Sequence, residues 1–155
     1  MLATTLAILG TLLGAIVSGA FTLRTAGRAE RVARQEQLRR DRLDAVIELA
    51  TRVSDHRRTM WKRGNARLKG APAERYEELR DKSHDTRGTV TRPLVAVRIL
   101  IPDPVVRTAA DEMITATYAM RDAFTSSDEL TAARTAAMLA HDRFVDTVAA
   151  YFDHS

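Results

Sequence analysis

Cysteine is absent from the 155 residues, which excludes disulfides and thiolate metal sites together. Four prolines and seven glycines leave few points where a helix must break, and aromatic residues make up only 5%. Alanine, leucine and arginine fill the space, and such residues lose little freedom in a helical backbone. There is no phosphate-cradling glycine loop, no dinucleotide-binding glycine pattern and no nucleophile elbow. The histidines fall in the pairs Asp55-His56, His84-Asp85 and His141-Asp142, with His154 beside the C-terminus. Asp81-x-x-His84 is half of the spacing that helical metal sites use, without a counterpart on another stretch. These gaps lead to the expectation of no catalytic residue, no cofactor, no metal and no small-molecule substrate. The chain reads as a protein that is not an enzyme.

Charge is missing from one place in particular. Residues 1–23 contain no charged side chain, whereas residues 24–42 hold seven arginines against three acids. Residues 43–155 balance 17 bases with 17 acids, so the net +4 of the chain sits immediately behind the apolar segment. Residues 1–23 reach roughly 34 Å as a helix at about 1.5 Å per residue, enough to cross a bilayer. The pattern predicts a single transmembrane helix. By the positive-inside rule, Arg24, Arg28, Arg31, Arg34, Arg39 and Arg40 place the N-terminus outside and the remainder in the cytoplasm, and they also suit anionic lipid. Ser18 and Ala20 offer the small-x-small pattern of a cleaved signal peptide, which is the rival reading. Against it, no base precedes the apolar run.

Small residues inside this segment fall into register. Gly10, Gly14 and Ser18 form one row, and Ala15, Gly19, Thr22, Ala26, Ala29 and Ala33 form another. Such rows let helices approach closely in lipid and point to a homo-oligomer.

Behind the apolar run, residues 24–42 read as an Arg-rich helical stalk and residues 43–155 as a cytoplasmic bundle. The first bundle helix buries Leu43, Val46, Ala50, Val53, Met60 and Leu68, with Ile47 and Leu49 widening the stripe. Gly70-Ala71-Pro72 ends it. A second stripe runs Tyr76, Leu79, Ser83, Thr86, Val90, Leu94, Val97 and Ile101, with Pro93 expected to kink or restart the helix. Asp103 reads as the N-cap of a third helix and Pro104 as its first residue. That helix buries Val106, Ala109, Met113, Thr117, Met120 and Phe124. Ser126 and Glu129 fit a capping box for a fourth, with Leu130, Ala133, Ala137, Ala140, Phe144, Val148 and Phe152 inward. The predicted fold is all-α, one transmembrane helix continuing into an antiparallel four-helix bundle.

One basic cluster remains. Residues 43–69 hold seven bases against three acids, while residues 103–155 hold nine acids against four arginines. Pairing between the first helix and the last two would absorb both. The alternative is a nucleic-acid or partner patch made of Arg57, Arg58, Trp61, Lys62, Arg63 and Arg67, with Trp61 as a stacking surface.

Three strings, 55–61 (DHRRTMW), 83–97 (SHDTRGTVTRPLVAV) and 116–124 (ATYAMRDAF), follow the membrane segment and stalk in order. The whole resembles KilB-like small membrane proteins of actinomycete conjugative plasmids. The resemblance implies an accessory to plasmid transfer or spread that works through protein assembly. The functional expectation is a membrane-anchored interaction or scaffold protein. A membrane-tethered bundle that contacts nucleic acid is the first alternative. A secreted bundle that binds a ligand after signal cleavage is the second.

Overall fold

The computed structural model describes the backbone of residues 2–154 and the side chains of residues 28 and 30–154. It contains four α-helices: α1 (Leu2–Leu68), α2 (Ala73–Leu100), α3 (Pro104–Ala119) and α4 (Ser127–Asp153). A 3-10 turn, Met120–Ala123, follows α3, and there is no strand among the described residues. The fold is all-helical. The chain divides into two units, residues 1–40 and residues 41–155.

In the first unit, every described side chain is exposed, including Arg28, Arg31, Arg34, Arg39 and Arg40. Arg34 pairs with Glu30 one turn away at 2.5 Å, a solvated pair of the kind that adds under about 1 kcal/mol. Among the described residues no helix is long and apolar enough to cross a membrane. The predicted span, residues 1–23, lies outside the residues whose side chains are described. So do Gly10, Gly14, Ala15, Ser18, Gly19, Arg24 and Ala26.

The second unit is a helical bundle. Cross-helix hydrogen bonds from Arg42 to Leu100, His56 to Thr86 and Arg63 to Tyr76 show α1 and α2 running antiparallel. Asp41 and Arg42, assigned by charge to the stalk, fall in this unit. Its larger core gathers Leu49, Val53, Val97, Ile101, Met113 and Phe144, and a smaller one gathers Met60, Met120, Phe124, Leu130 and Ala137. Removing a side chain the size of Phe144 from water stabilises the fold by about 1.5–3 kcal/mol.

The helix ends have physical causes. Gly70 takes a φ of +62°, its N–H bonds the Arg67 carbonyl, and the Ala71 N–H reaches back to Ala66. This is a Schellman closure, which favours glycine at the left-handed position. Asp103 caps α3 by accepting from the Val105 and Val106 N–H groups at 2.7 and 3.1 Å. Ser126 accepts from the Glu129 N–H at 3.1 Å, but the Glu129 carboxylate accepts from the Thr125 hydroxyl. The α4 cap is therefore one half of the expected reciprocal box.

Three expectations need correction. Leu43 and Ile47 are 42% and 55% exposed, and the buried stripe of α1 instead follows Ala45, Val46, Leu49, Val53, His56 and Met60. Both residues sit on the flank of α1, away from its axis of burial. Of the two outcomes expected at Pro93, the restart does not occur, since Pro93 lies buried inside a continuous α2. The α-helical geometry of α3 stops at Ala119, and Met120 and Phe124 are buried from the 3-10 turn and the residue after it.

Candidate functional site: a cationic cleft and the basic face beside it

On α1, steps of four and three bring His56, Met60 and Arg63 to one face, the face turned toward α2. Ser83, His84 and Arg87 of α2, Tyr118 near the end of α3 and Arg121 of the 3-10 turn complete a cleft of about 100 Å³. His56, Met60 and Ser83 are buried, Arg63 and Tyr118 half-buried, and His84, Arg87 and Arg121 exposed at the rim. Three guanidinium groups and two imidazoles therefore line the space, and no carboxylate does.

The hydrogen bonds hold this arrangement from beneath. The Thr86 hydroxyl has carbonyl acceptors at Lys82 (3.1 Å) and Ser83 (3.3 Å), so its proton points along α2. The oxygen then accepts from His56 Nδ1 at 3.0 Å, which assigns the imidazole proton to Nδ1. Arg63 Nη1 donates to Ser83 Oγ at 3.1 Å and Nη2 to the Tyr76 hydroxyl at 3.3 Å. Arg63 Nε is buried without an acceptor. Tyr118 presents its ring to two groups: His56 meets it edge-on at 5.3 Å, and the Arg87 guanidinium lies 4.6 Å from its centroid.

Electrostatics follow from this composition. Burial, then the charge of Arg87 and then His84, push His56 down to about 4 from its ordinary 6.5, so the ring is neutral at pH 7. Burial acts to raise the Tyr76 phenol, but hydrogen bonds and charge from Arg63 and Arg67 outweigh it and lower the group overall.

The six residues of the predicted patch fall on three faces of α1. Arg58 and Lys62 are exposed, and Arg58 pairs with Asp55 at 3.5 Å. Arg57 and Trp61 turn toward α4, where Arg134 lies 4.6 Å from the Trp61 ring centroid. The Arg57 guanidinium donates to Ser54 and leaves Nη1 buried without an acceptor. Burial, outweighing the charge of Asp142, lowers Arg57 below its ordinary range. Arg63 and Arg67 turn toward Tyr76 on α2. The close ion pairs of residues 43–69 stay within the helix, Arg52–Glu48 and Arg58–Asp55, while Asp142 of α4 acts on Arg57 through its charge. Among the described residues, no three of His, Asp and Glu gather into a metal-holding group. His141 stands 3.5 Å from Asp142.

Sequence pattern alone misses the cleft, because its eight residues come from four elements. It also misses the C-terminal cap of α2. There, Arg42 donates to the Leu100 carbonyl at 2.8 Å, and Arg107 donates to those of Ile101 and Arg98 at 2.7 Å each. Two arginines thus satisfy three carbonyls that the helix itself leaves open. The only signal in the sequence is that the three quoted strings supply seven of the eight cleft residues.

Fold and site define a small bundle, all-helical among the described residues, with a basic first helix and a cationic cleft. The chain belongs to the KilB plasmid transfer protein family, whose model matches residues 43–152. It is 42% identical over 102 residues to Protein KilB of Streptomyces lividans, covering 66% of this chain and 67% of that protein. No solved structure matches it.

Proposed function

We propose that this protein is a membrane-anchored, non-enzymatic interaction protein serving plasmid transfer. Residues 1–23 span the bilayer and the bundle lies on the cytoplasmic side. One observation carries the reading: an uncharged apolar run of bilayer length is followed at once by the whole basic surplus of the chain. Family membership supplies the process, plasmid transfer. The exposed apolar side chains Ile99, Val105 and Leu139, at 73%, 63% and 57%, offer contact area to a protein partner. Alkaline carbonate extraction of native membranes tests the anchor. The full-length chain stays in the pellet; its release into the supernatant defeats the reading.

A second reading, contact with nucleic acid, is favoured by the exposure of Arg58, Lys62 and Arg67 along α1. Phosphate-backbone binding of this kind weakens steeply with salt. Duplex DNA titrated onto the detergent-solubilised chain at low salt binds, and Arg58→Ala with Lys62→Ala weakens it. Indifference to both substitutions rejects the nucleic-acid surface.

A further inference from the structure

The cleft between α1, α2 and the end of α3 is lined by three guanidinium groups and no carboxylate. Its floor, His56, Met60 and Ser83, is buried, so a ligand enters past Arg87 and Arg121 rather than lying flat across them. Among the described residues, neither Arg63 nor Arg87 is in an ion pair, and Arg121 is held only loosely, Nε to Asp122 Oδ1 at 3.4 Å. Asp81 and Asp85 are on α2 but do not line the space. A buried guanidinium N–H with no acceptor carries an uncompensated desolvation cost, and Arg63 Nε is in that position. Guanidinium groups converging without a carboxylate repel one another until an anion arrives. Their planar forks suit the oxygens of a tetrahedral group. The volume, about 100 Å³, leaves room for one such group.

We propose that this cleft binds a phosphate-type oxyanion, inorganic phosphate or a terminal phosphomonoester, held by Arg63, Arg87 and Arg121. Arg63, held in place by its bonds to Ser83 and Tyr76, fixes the depth of the anion, and Tyr118 keeps Arg87 aimed by stacking beneath it. His56 reports occupancy without supplying charge of its own. It faces Arg63 on its own helix, His84, Thr86 and Arg87 on α2, Tyr118 on α3 and Arg121 on the 3-10 turn. A bound dianion offsets the cations that suppress its protonation.

The test uses the full-length chain in nonionic detergent, titrated by calorimetry at constant ionic strength with sodium chloride as the reference. The probes are inorganic phosphate and dihexanoyl phosphatidic acid below its micelle concentration, with dihexanoyl phosphatidylcholine as control. Saturable 1:1 binding of either phosphate probe is expected, weakened about tenfold by Arg87→Gln or by Arg121→Gln, as loss of one charge-assisted contact implies. Arg52→Gln, half-buried on α1 and outside the cleft, leaves it unchanged. The His56 imidazole, followed by NMR, titrates higher with the probe bound. Similar affinities for the two probes indicate a free anion. Much tighter phosphatidic acid indicates a lipid headgroup. Both rim residues are exposed, so helical content should survive their substitution, and each serves as the check on the other. No saturable binding of either probe overturns the proposal. So does binding equal to that of phosphatidylcholine, or binding indifferent to both rim variants.

Discussion

Gly64 shows how far a single atom can matter. A Cβ placed there meets Leu130 Cδ2 at 2.7 Å and Phe124 Cδ1 and Cε1 at 2.8 Å, inside the smaller core. Gly88, in the middle of α2, has nothing within 4 Å of the same position. Alanine gains up to about 1 kcal/mol of helix propensity at either place, while overpacking a core costs about 1–3 kcal/mol. Urea unfolding should therefore show Gly88→Ala more stable by about 0.5–1 kcal/mol and Gly64→Ala less stable by about 1–2 kcal/mol. His56 supplies a pH dependence. Its folded value of about 4 lies below the ordinary 6.5, so between those limits the unfolded chain takes up a proton that the native chain refuses. Stability from this group is complete above pH 6.5 and declines as the pH falls toward 4. The expected loss between pH 7 and 4.5 is about 2 kcal/mol, and His56→Gln should remove most of that slope.

At the scale of an element, α2 depends on its two ends in different ways. Its N-terminus has no side-chain cap, whereas its C-terminal carbonyls are held by Arg42 and Arg107. Hydrogen bonds from a charged donor are worth about 1.5–3 kcal/mol, and Arg107 is half-buried. Arg107→Met keeps the aliphatic stem and should cost about 1–2 kcal/mol, with earlier amide exchange in the last turn of α2. Asp103→Ala removes the N-cap of α3 next door and should cost about 1 kcal/mol. The two sites share the α2–α3 corner, so the double variant is expected to fall short of additivity.

For the whole molecule, the anchor reading carries a prediction about association. The small rows of residues 1–26 suit close helix packing in lipid, where dispersion over a tight contact replaces the hydrophobic drive. Crosslinking in native membranes should therefore trap a homo-oligomer, and Gly14→Leu or Gly19→Leu should reduce its yield severalfold. Equal yields from both variants and the wild type would place any self-association elsewhere, for instance on the exposed apolar side chains of the bundle.

Periodicity and capping chemistry were enough to locate the helices, because both act over a few residues of chain. The stripe from Val106 to Thr117, the cap at Asp103 and the stop at Gly70 are all local consequences of spacing or backbone freedom. Composition likewise carried the charge asymmetry behind residue 23. The side on which each arginine would fall was not determined in that way. Arg63 turns to α2, Arg57 turns toward Asp142 and Arg134 of α4, and Arg42 closes a helix 58 residues away. Helical spacing fixes the angle between side chains but not which neighbour occupies that angle. The cleft, assembled from four elements, exists only once packing has chosen the neighbours.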